Sequence, residues 1–224
     1  MVLPILKTPF KGSLDPVVGL RAPTARVKGP LPLLVFFTNK QLGLAKNLGL
    51  SLKDMHIKEH AEFITVTCLE RKHILNEDRF KDIIIDSLSF LGRTKRVCIY
   101  GFVIMSNHFH LIWQMVDDHI REEVQRDFLK YTGQQILKQL RNEKSEMLKE
   151  LLVQTKDRKY QVWNRNSLGI PLWSPSVFNQ KLEYIHNNPI KARLCKYPED
   201  YKYSSADFYD KNEKDWGFLV HHEG

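Results

Sequence analysis

The stretch Tyr100-Gly-Phe-Val-Ile-Met-Ser-Asn-His-Phe-His-Leu-Ile-Trp113 decides the fold. Val97 to Met105 is apolar and β-branched, as a strand requires. Ser106-Asn107 is turn chemistry. His108 to Met115 is apolar again, so the two runs predict a β-hairpin. His108 and His110 stand two apart on the second strand. They therefore share a face, roughly 6.5–7 Å apart along the chain, while Phe109 points the other way into packing. Two imidazoles so placed suit one divalent cation held through neutral nitrogens. The same pattern also fits a pair of half-exposed strand histidines. Against that, Ile104, Leu111, Ile112 and Trp113 mark a core strand, where polar rings need a partner.

Working outward, Phe63-Ile-Thr-Val-Thr-Cys-Leu69 reads as a strand. Glu77 to Leu91 places Phe80, Ile83, Ile84, Leu88 and Leu91 at helical spacing, with Gly92 as its stop. Residues 119–141 predict a long helix with Val124, Phe128, Ile136, Leu137 and Leu140 near one face and Gly133 as a weak point. A shorter helix is expected near Met147–Val153, and the stretch Asn142 to Leu172 has no assigned place. The order strand, helix, strand, strand, helix opens a ferredoxin-like split βαβ. The expected class is therefore α+β: an antiparallel sheet carrying the His-hydrophobic-His strand, with helices on one face.

Ser174-Pro175 is an N-cap followed by proline at the first helical position. The helix would run to about Asn188, before Pro189. Phe178, Leu182 and Ile185 form its apolar face, and Lys181, Tyr184 and Asn188 an adjoining stripe. That stripe alone fits a solvated face with a half-buried tyrosine. His186 and Asn187 lie off it, at the helix end or towards solvent.

The chain has 224 residues with 34 basic and 26 acidic side chains, a net +8. Residues 1–54 hold six of the ten prolines, five of the eleven glycines, eight Lys/Arg and only two acids. They are expected to be a poorly ordered basic leader outside the functional protein, which would be 55–224. That remainder has 26 basic and 24 acidic residues, so bulk charge is no argument for a nucleic-acid partner there. The longest apolar run is Leu33–Phe37, far short of a membrane span. Cys68, Cys98 and Cys195 are too scattered for a disulfide framework or a cysteine zinc site. A reducing, cytoplasmic location is the default.

The 100–113 stretch and Leu182-Glu-Tyr-Ile-His-Asn-Asn-Pro-Ile-Lys-Ala-Arg-Leu194 together resemble the two signature blocks of the single-tyrosine HUH transposases, in particular the REP-associated tyrosine transposases. Pro198-Glu-Asp-Tyr-Lys-Tyr-Ser-Ser205 resembles the continuation of the same family. The resemblance covers roughly residues 60–210. One departure is Ser106, where the family most often has proline. It sits in the turn and should not touch the metal chemistry.

The resemblance implies DNA cleavage and rejoining on single-stranded or hairpin DNA. Tyr184 would attack phosphorus, keep the 5′-phosphate and release a 3′-hydroxyl. A phenol has a pKa of about 10, so its oxygen is a good leaving group and the step reverses readily. His108 and His110 would hold Mg²⁺ or Mn²⁺, and Asn188, one turn beyond the tyrosine, would complete the site. A zinc hydrolase would want a third ligand and a general base, and there is no HExxH motif. Lys181, Arg93, Lys95, Arg96, Lys191 and Arg193 are the candidate DNA contacts, with a further basic cluster at Lys156, Arg158 and Lys159. Trp163 and Trp173 are aromatics that could stack bases. Tyr131 is the rival nucleophile, while Tyr100, Tyr201 and Tyr203 read as packing residues. No membrane partner is expected, and a homodimer is left open. Two other readings stay open: a nucleic-acid-binding module of the same fold without turnover, and a metal-dependent phosphodiesterase that uses water and leaves no adduct.

Overall fold

Apolar alternation sets the strands, and a computed structural model of the chain shows how they pair. It describes residues 60–155, 157–165, 167, 169–210 and 216–222, all within the unit Gly49–Gly224. The expected leader 1–54 lies outside the described residues.

Strand β1 (Glu62–Thr67) is followed by helix α1 (Asp78–Arg93), strand β2 (Val97–Ile104) and strand β3 (His108–Met115). Next come helix α2 (Arg121–Asn142), a short helix α3 (Met147–Glu150), and a hairpin of β4 (Leu152–Thr155) with β5 (Arg158–Tyr160). Strand β6 (Gly169–Pro171) precedes helix α4 (Pro175–His186), helix α5 (Asn188–Lys191) and helix α6 (Ala206–Asp210). The main sheet has the order β2-β3-β1-β6 with every neighbour antiparallel. With β6 as the fourth strand this is the order of a ferredoxin-like split βαβ, as expected.

The two faces of the sheet carry different chemistry. Ile64, Val66, Phe109, Leu111 and Trp113 point to one face, where α1 and α2 bury Phe80, Ile84, Leu88, Phe128, Ile136 and Leu140. Phe63, Val103 and Ile112 point to the other, where α4 buries Phe178 and Ile185. Burial of each of these two side chains contributes on the order of 1.5–3 kcal/mol towards holding α4 in place.

Several local expectations change. Gly92 does not stop α1. It lies in the last turn, where a Cβ would meet Phe218 Cβ at 3.1 Å. The stop is Lys95 at φ 54°, with Lys95 N–H bonded to Gly92 O and Arg96 N–H to Leu91 O. That is a Schellman closure with lysine in glycine's usual position. The expected helix 147–153 is helical only to Glu150, because Leu152–Thr155 pairs with Arg158–Tyr160 instead. Gly133 does not weaken α2. It is buried where Trp163 closes on the helix, its Nε1 donating to Leu129 O at 3.1 Å and to Thr132 Oγ1 at 3.2 Å.

The segment after α5 covers the free edge of β2. Ile104 N–H bonds Tyr203 O at 2.9 Å, Ser205 N–H bonds Phe102 O at 2.9 Å, and Tyr201 Oη donates to Ile104 O at 2.9 Å. Tyr201 and Tyr203 are thus packing residues, as expected, and the edge is protected from pairing with another chain. All three cysteines are free thiols. Among the described residues no helix is long and apolar enough to cross a membrane.

Candidate active site

The register of β1 on β3 builds the floor of the site. Thr65 lies opposite His110, Thr67 opposite His108, and Phe63 opposite Ile112, all on the face that α4 covers. The two imidazole centroids are 4.9 Å apart. Both rings are tethered from behind. His108 Nδ1 is 2.7 Å from Asn107 Oδ1, and an amide oxygen can only accept, so Nδ1 carries the proton. His110 Nδ1 is 2.8 Å from Thr65 Oγ1. With Nδ1–H donating there, His110 Nε2 presents a lone pair, and that atom is buried without a hydrogen-bond partner among the described residues. Such second-partner tethers are what orient ligating histidines.

Electrostatics hold both rings neutral. Burial, the neighbouring His108 and the Lys181 ammonium push His110 down to about 3. Burial lowers His108 as well, the Asn188 hydrogen bond partly offsets this, and the Arg71 guanidinium adds to the lowering. Neutral imidazole is the metal-ligating form.

Helix α4 brings the tyrosine to this floor. Ser174 caps it, accepting from Val177 N–H at 3.3 Å, and Pro175 occupies its first turn. Gly101 in β2 sets how closely it docks. A Cβ there would sit 2.7 Å from Leu182 Cδ1 and 3.1 Å from Ile185 Cδ1. The Tyr184 ring consequently stands 5.3 Å from His110 and 6.0 Å from Phe63, centroid to centroid, with 40% of the residue exposed. Helix α4 ends at His186 rather than at Asn188, and Asn188 opens α5. Asn188 still sits one turn above Tyr184, its Nδ2 donating to Tyr184 O at 3.1 Å. Its oxygen is the end that faces His108, and with Nδ1 already protonated the His108 Nε2 has a proton for it only in the imidazolium form, which is why this contact raises the His108 pKa.

The cations fall into two groups. Lys181 Nζ lies 5.0 Å from the Phe63 ring and 5.6 Å from the Tyr184 ring, and Lys191 Nζ lies 5.0 Å from the Tyr184 ring. Neither has a carboxylate partner among the described residues. Arg193 follows α5 in a left-handed turn, φ 58°, exposed to solvent. Arg93, Lys95 and Arg96 are not brought to the site. They precede Val97, which pairs with Met115, at the end of β2 remote from His108. The eight-residue length of β2 puts roughly 23 Å between the two ends.

The other candidates resolve similarly. Tyr131 is 52% exposed on α2, beyond the opposite face of the sheet, and cannot approach the histidines. Trp163 is 7% exposed and holds α2 to the sheet, so its face is not offered to a base. Trp173 packs edge-on against His60 at 4.9 Å. His186 does not face solvent. Its Nε2 is 2.8 Å from Ser205 Oγ, and burial pushes it down to about 4. Ser106 has its own partner, His73 Nδ1 at 2.7 Å.

Sequence reading missed four contributors. Thr65 and Asn107 orient the two imidazoles, Gly101 seats α4, and Arg71 places a cation near His108. Arg71 follows Glu70 with both residues at positive φ, 59° and 51°, in the turn directly after β1. Of the four, only Thr65 had a usable signal, the period-2 face it shares with Phe63.

The donors fit a hard divalent cation. Two neutral imidazoles, one with an orphaned buried nitrogen, and an amide oxygen converge beside an exposed phenol. Among the described residues no cluster of three or more His, Cys, Asp or Glu exists, so the remaining positions of such a site would fall to phosphate and water oxygens.

No family model and no curated protein matches the chain. Among solved structures it is similar to a REP-associated tyrosine transposase bound to a REP hairpin, with a TM-score of 0.52 and 16% identity over 73% of this chain and 87% of that one. It also aligns with a transposase candidate from Deinococcus radiodurans R1, TM-score 0.37 and 14% identity over 56% of this chain and 88% of that one. The first likeness establishes the fold. The chemistry rests on the residues.

Proposed function

We propose that the chain breaks and rejoins single-stranded or hairpin DNA through a 5′-phosphotyrosine intermediate. One observation carries this reading: a half-exposed Tyr184 stands 5.3 Å from the ring of His110, whose buried Nε2 has no hydrogen-bond partner among the described residues. The Tyr184 oxygen attacks phosphorus and its proton leaves to solvent. The bond from phosphorus to the 3′-oxygen breaks, and that oxygen takes a proton to become the 3′-hydroxyl. The DNA solved with the similar transposase, a REP hairpin, is the model for the substrate class.

His108, His110 and Asn188 are the residues that would hold Mg²⁺ or Mn²⁺, which when bound supplies Lewis-acid polarisation of the scissile phosphate. The protein's own cations do the rest. Lys181 and Lys191 flank the phenol and neutralise charge that builds on the phosphate oxygens. Arg71 supports the same phosphate from the His108 side. The phosphotyrosine preserves the energy of the cleaved bond, so a DNA hydroxyl can attack it and reseal the strand.

The test is incubation of the chain with hairpin-bearing single-stranded DNA and Mn²⁺, read on a denaturing gel. A covalent adduct that disappears in Tyr184→Phe supports the proposal. An adduct formed at normal yield by Tyr184→Phe removes Tyr184 from its role, and cut DNA without adduct points to water as the nucleophile.

A further inference from the structure

The turn between β2 and β3 cannot hold its own shape. Met105 N–H bonds His108 O at 2.8 Å, so Ser106 and Asn107 are the two connecting residues. Two-residue hairpins favour the primed turns, whose twist matches the strands and which need positive φ at one or both central residues. Neither Ser106 nor Asn107 is at positive φ. An unprimed turn splays the strands it joins, so it needs anchors from elsewhere in the chain. His108 depends on those anchors, because Asn107 Oδ1 accepts its Nδ1–H at 2.7 Å. A turn that moves takes this acceptor with it.

The anchors come from residues 68–75, between β1 and α1. Cys68 N–H bonds Asn107 O at 2.9 Å, and Leu75 N–H bonds Ser106 O at 2.8 Å. Cys68 and Leu75 are buried, so the core fixes these two bonds. They grip both carbonyls of the turn and neither side chain. The third anchor joins side chains: His73 Nδ1 lies 2.7 Å from Ser106 Oγ. His73 is exposed, and its ring makes no ion pair or ring contact among the described residues. The imidazole is therefore placed by this bond and not by packing.

We infer that His73 is a positioning residue: through Ser106 Oγ it fixes the 106–107 turn, and so keeps Asn107 Oδ1 on His108 Nδ1–H and His108 Nε2 open to a cation. The inference rests on the reading of His108 as a metal ligand. A competing arrangement is close at hand, since the Asn188 oxygen faces His108. When Nδ1 loses its acceptor, its proton can leave to water while Nε2 takes one up and donates to Asn188. That tautomer closes Nε2 to a cation. Ser106 thus bears on the metal chemistry through the turn, with no ligand of its own to offer.

The test uses the full chain and two measurements. Proton–nitrogen correlation NMR of the metal-free protein at neutral pH reads the His108 tautomer, its signals assigned by their loss in His108→Gln. Titration calorimetry reads Mn²⁺ affinity. The unsubstituted chain should show the Nδ1–H tautomer alone. His73→Leu and Ser106→Ala should each show a mixture with Nε2–H, and Mn²⁺ affinity should fall roughly threefold to tenfold, the equivalent of one net hydrogen bond. His73→Asn should restore both readouts, because its amide group stands the same number of bonds from Cα as Nδ1. Proline presets φ at the first central position of an unprimed turn, so Ser106→Pro should hold the turn by itself. Adding His73→Leu to Ser106→Pro should then change neither readout. A merely structural role would lower Tm and leave tautomer and affinity untouched. A single Nδ1–H tautomer with normal affinity in both His73→Leu and Ser106→Ala would overturn the inference. So would an equal loss from His73→Leu on top of Ser106→Pro. The two readings fail separately. An unsubstituted chain that binds no Mn²⁺ removes the metal reading, while the tautomer still decides the role of His73. Normal Mn²⁺ binding with variants that change neither readout sinks the positioning role alone.

Discussion

Gly101→Ala tests whether the docking of α4 sets the chemistry. The new Cβ would lie 2.7 Å from Leu182 Cδ1 and 3.1 Å from Ile185 Cδ1, and 3.3 Å from Ser205 Oγ. Carbon atoms rest at about 3.5–4.0 Å, so one contact must open by roughly 1 Å. Leu182 is only partly buried and can turn away, but Ile185 has no exposed surface into which to move. Part of the displacement is therefore passed to the helix. Overpacking of this kind costs about 1–3 kcal/mol, and replacing a strand glycine by alanine returns about 0.5–1 kcal/mol. The net loss is about 1 kcal/mol, a fall in Tm of roughly 2–4 °C for a domain of this size. The effect on rate should be larger. Tyr184 lies one residue before Ile185, and a shift near 1 Å at a reacting atom costs about a hundredfold. The expected outcome is a nearly normal melt with adduct formation slowed roughly tenfold to a hundredfold. Wild-type adduct rates in a folded Gly101→Ala protein would refute the argument that this glycine positions the tyrosine.

Thr65→Val removes the tether on His110 Nδ1 while keeping the side-chain shape, and should weaken Mn²⁺ affinity roughly tenfold to a hundredfold by titration calorimetry. Chelation with EDTA should abolish the adduct and leave hairpin binding measurable by anisotropy. Lys191→Ala should slow adduct formation about tenfold and lower the salt slope of binding by roughly 0.7, a loss of one phosphate contact. His186 is held neutral by burial at about 4, below the ordinary 6.5 of the unfolded chain. Its stabilising contribution is full above pH 6.5 and is lost as the unfolded state takes up a proton that the folded state refuses. By pH 5 the loss is about 2 kcal/mol, so His186→Gln should flatten the fall in Tm between pH 7 and pH 5. An unchanged pH profile in that variant would show that His186 titrates freely in the folded protein.

The parts of the fold legible in the sequence are those where local pattern and tertiary demand agree. The five apolar positions named on α1 are all buried, and Ser174-Pro175 does start α4. The His-hydrophobic-His alternation places both imidazoles on one face because the side-chain period of a strand is 2. What the sequence hid was set by contacts distant along the chain. Strand β6 is only Gly169–Pro171, too short for any period, and it exists because Ile170 lies opposite Phe63. The hairpin after Glu150 ends the expected helix for the same reason. Gly101 reads as a defect in an apolar strand until α4 arrives above it. Charge was the least legible property. Arg93, Lys95 and Arg96 look as suited to DNA as Lys181 and Lys191, yet the direction of β2 carries the first three to the end of the sheet away from His108. A cluster of cations in sequence says how much charge is available, and only the strand order says which phosphate it can reach. The same logic makes Arg71 visible only in the folded chain: an arginine between Glu70 and Lys72 comes close enough to lower the His108 pKa because β1 ends beside His108 and the left-handed residues Glu70 and Arg71 turn the backbone there.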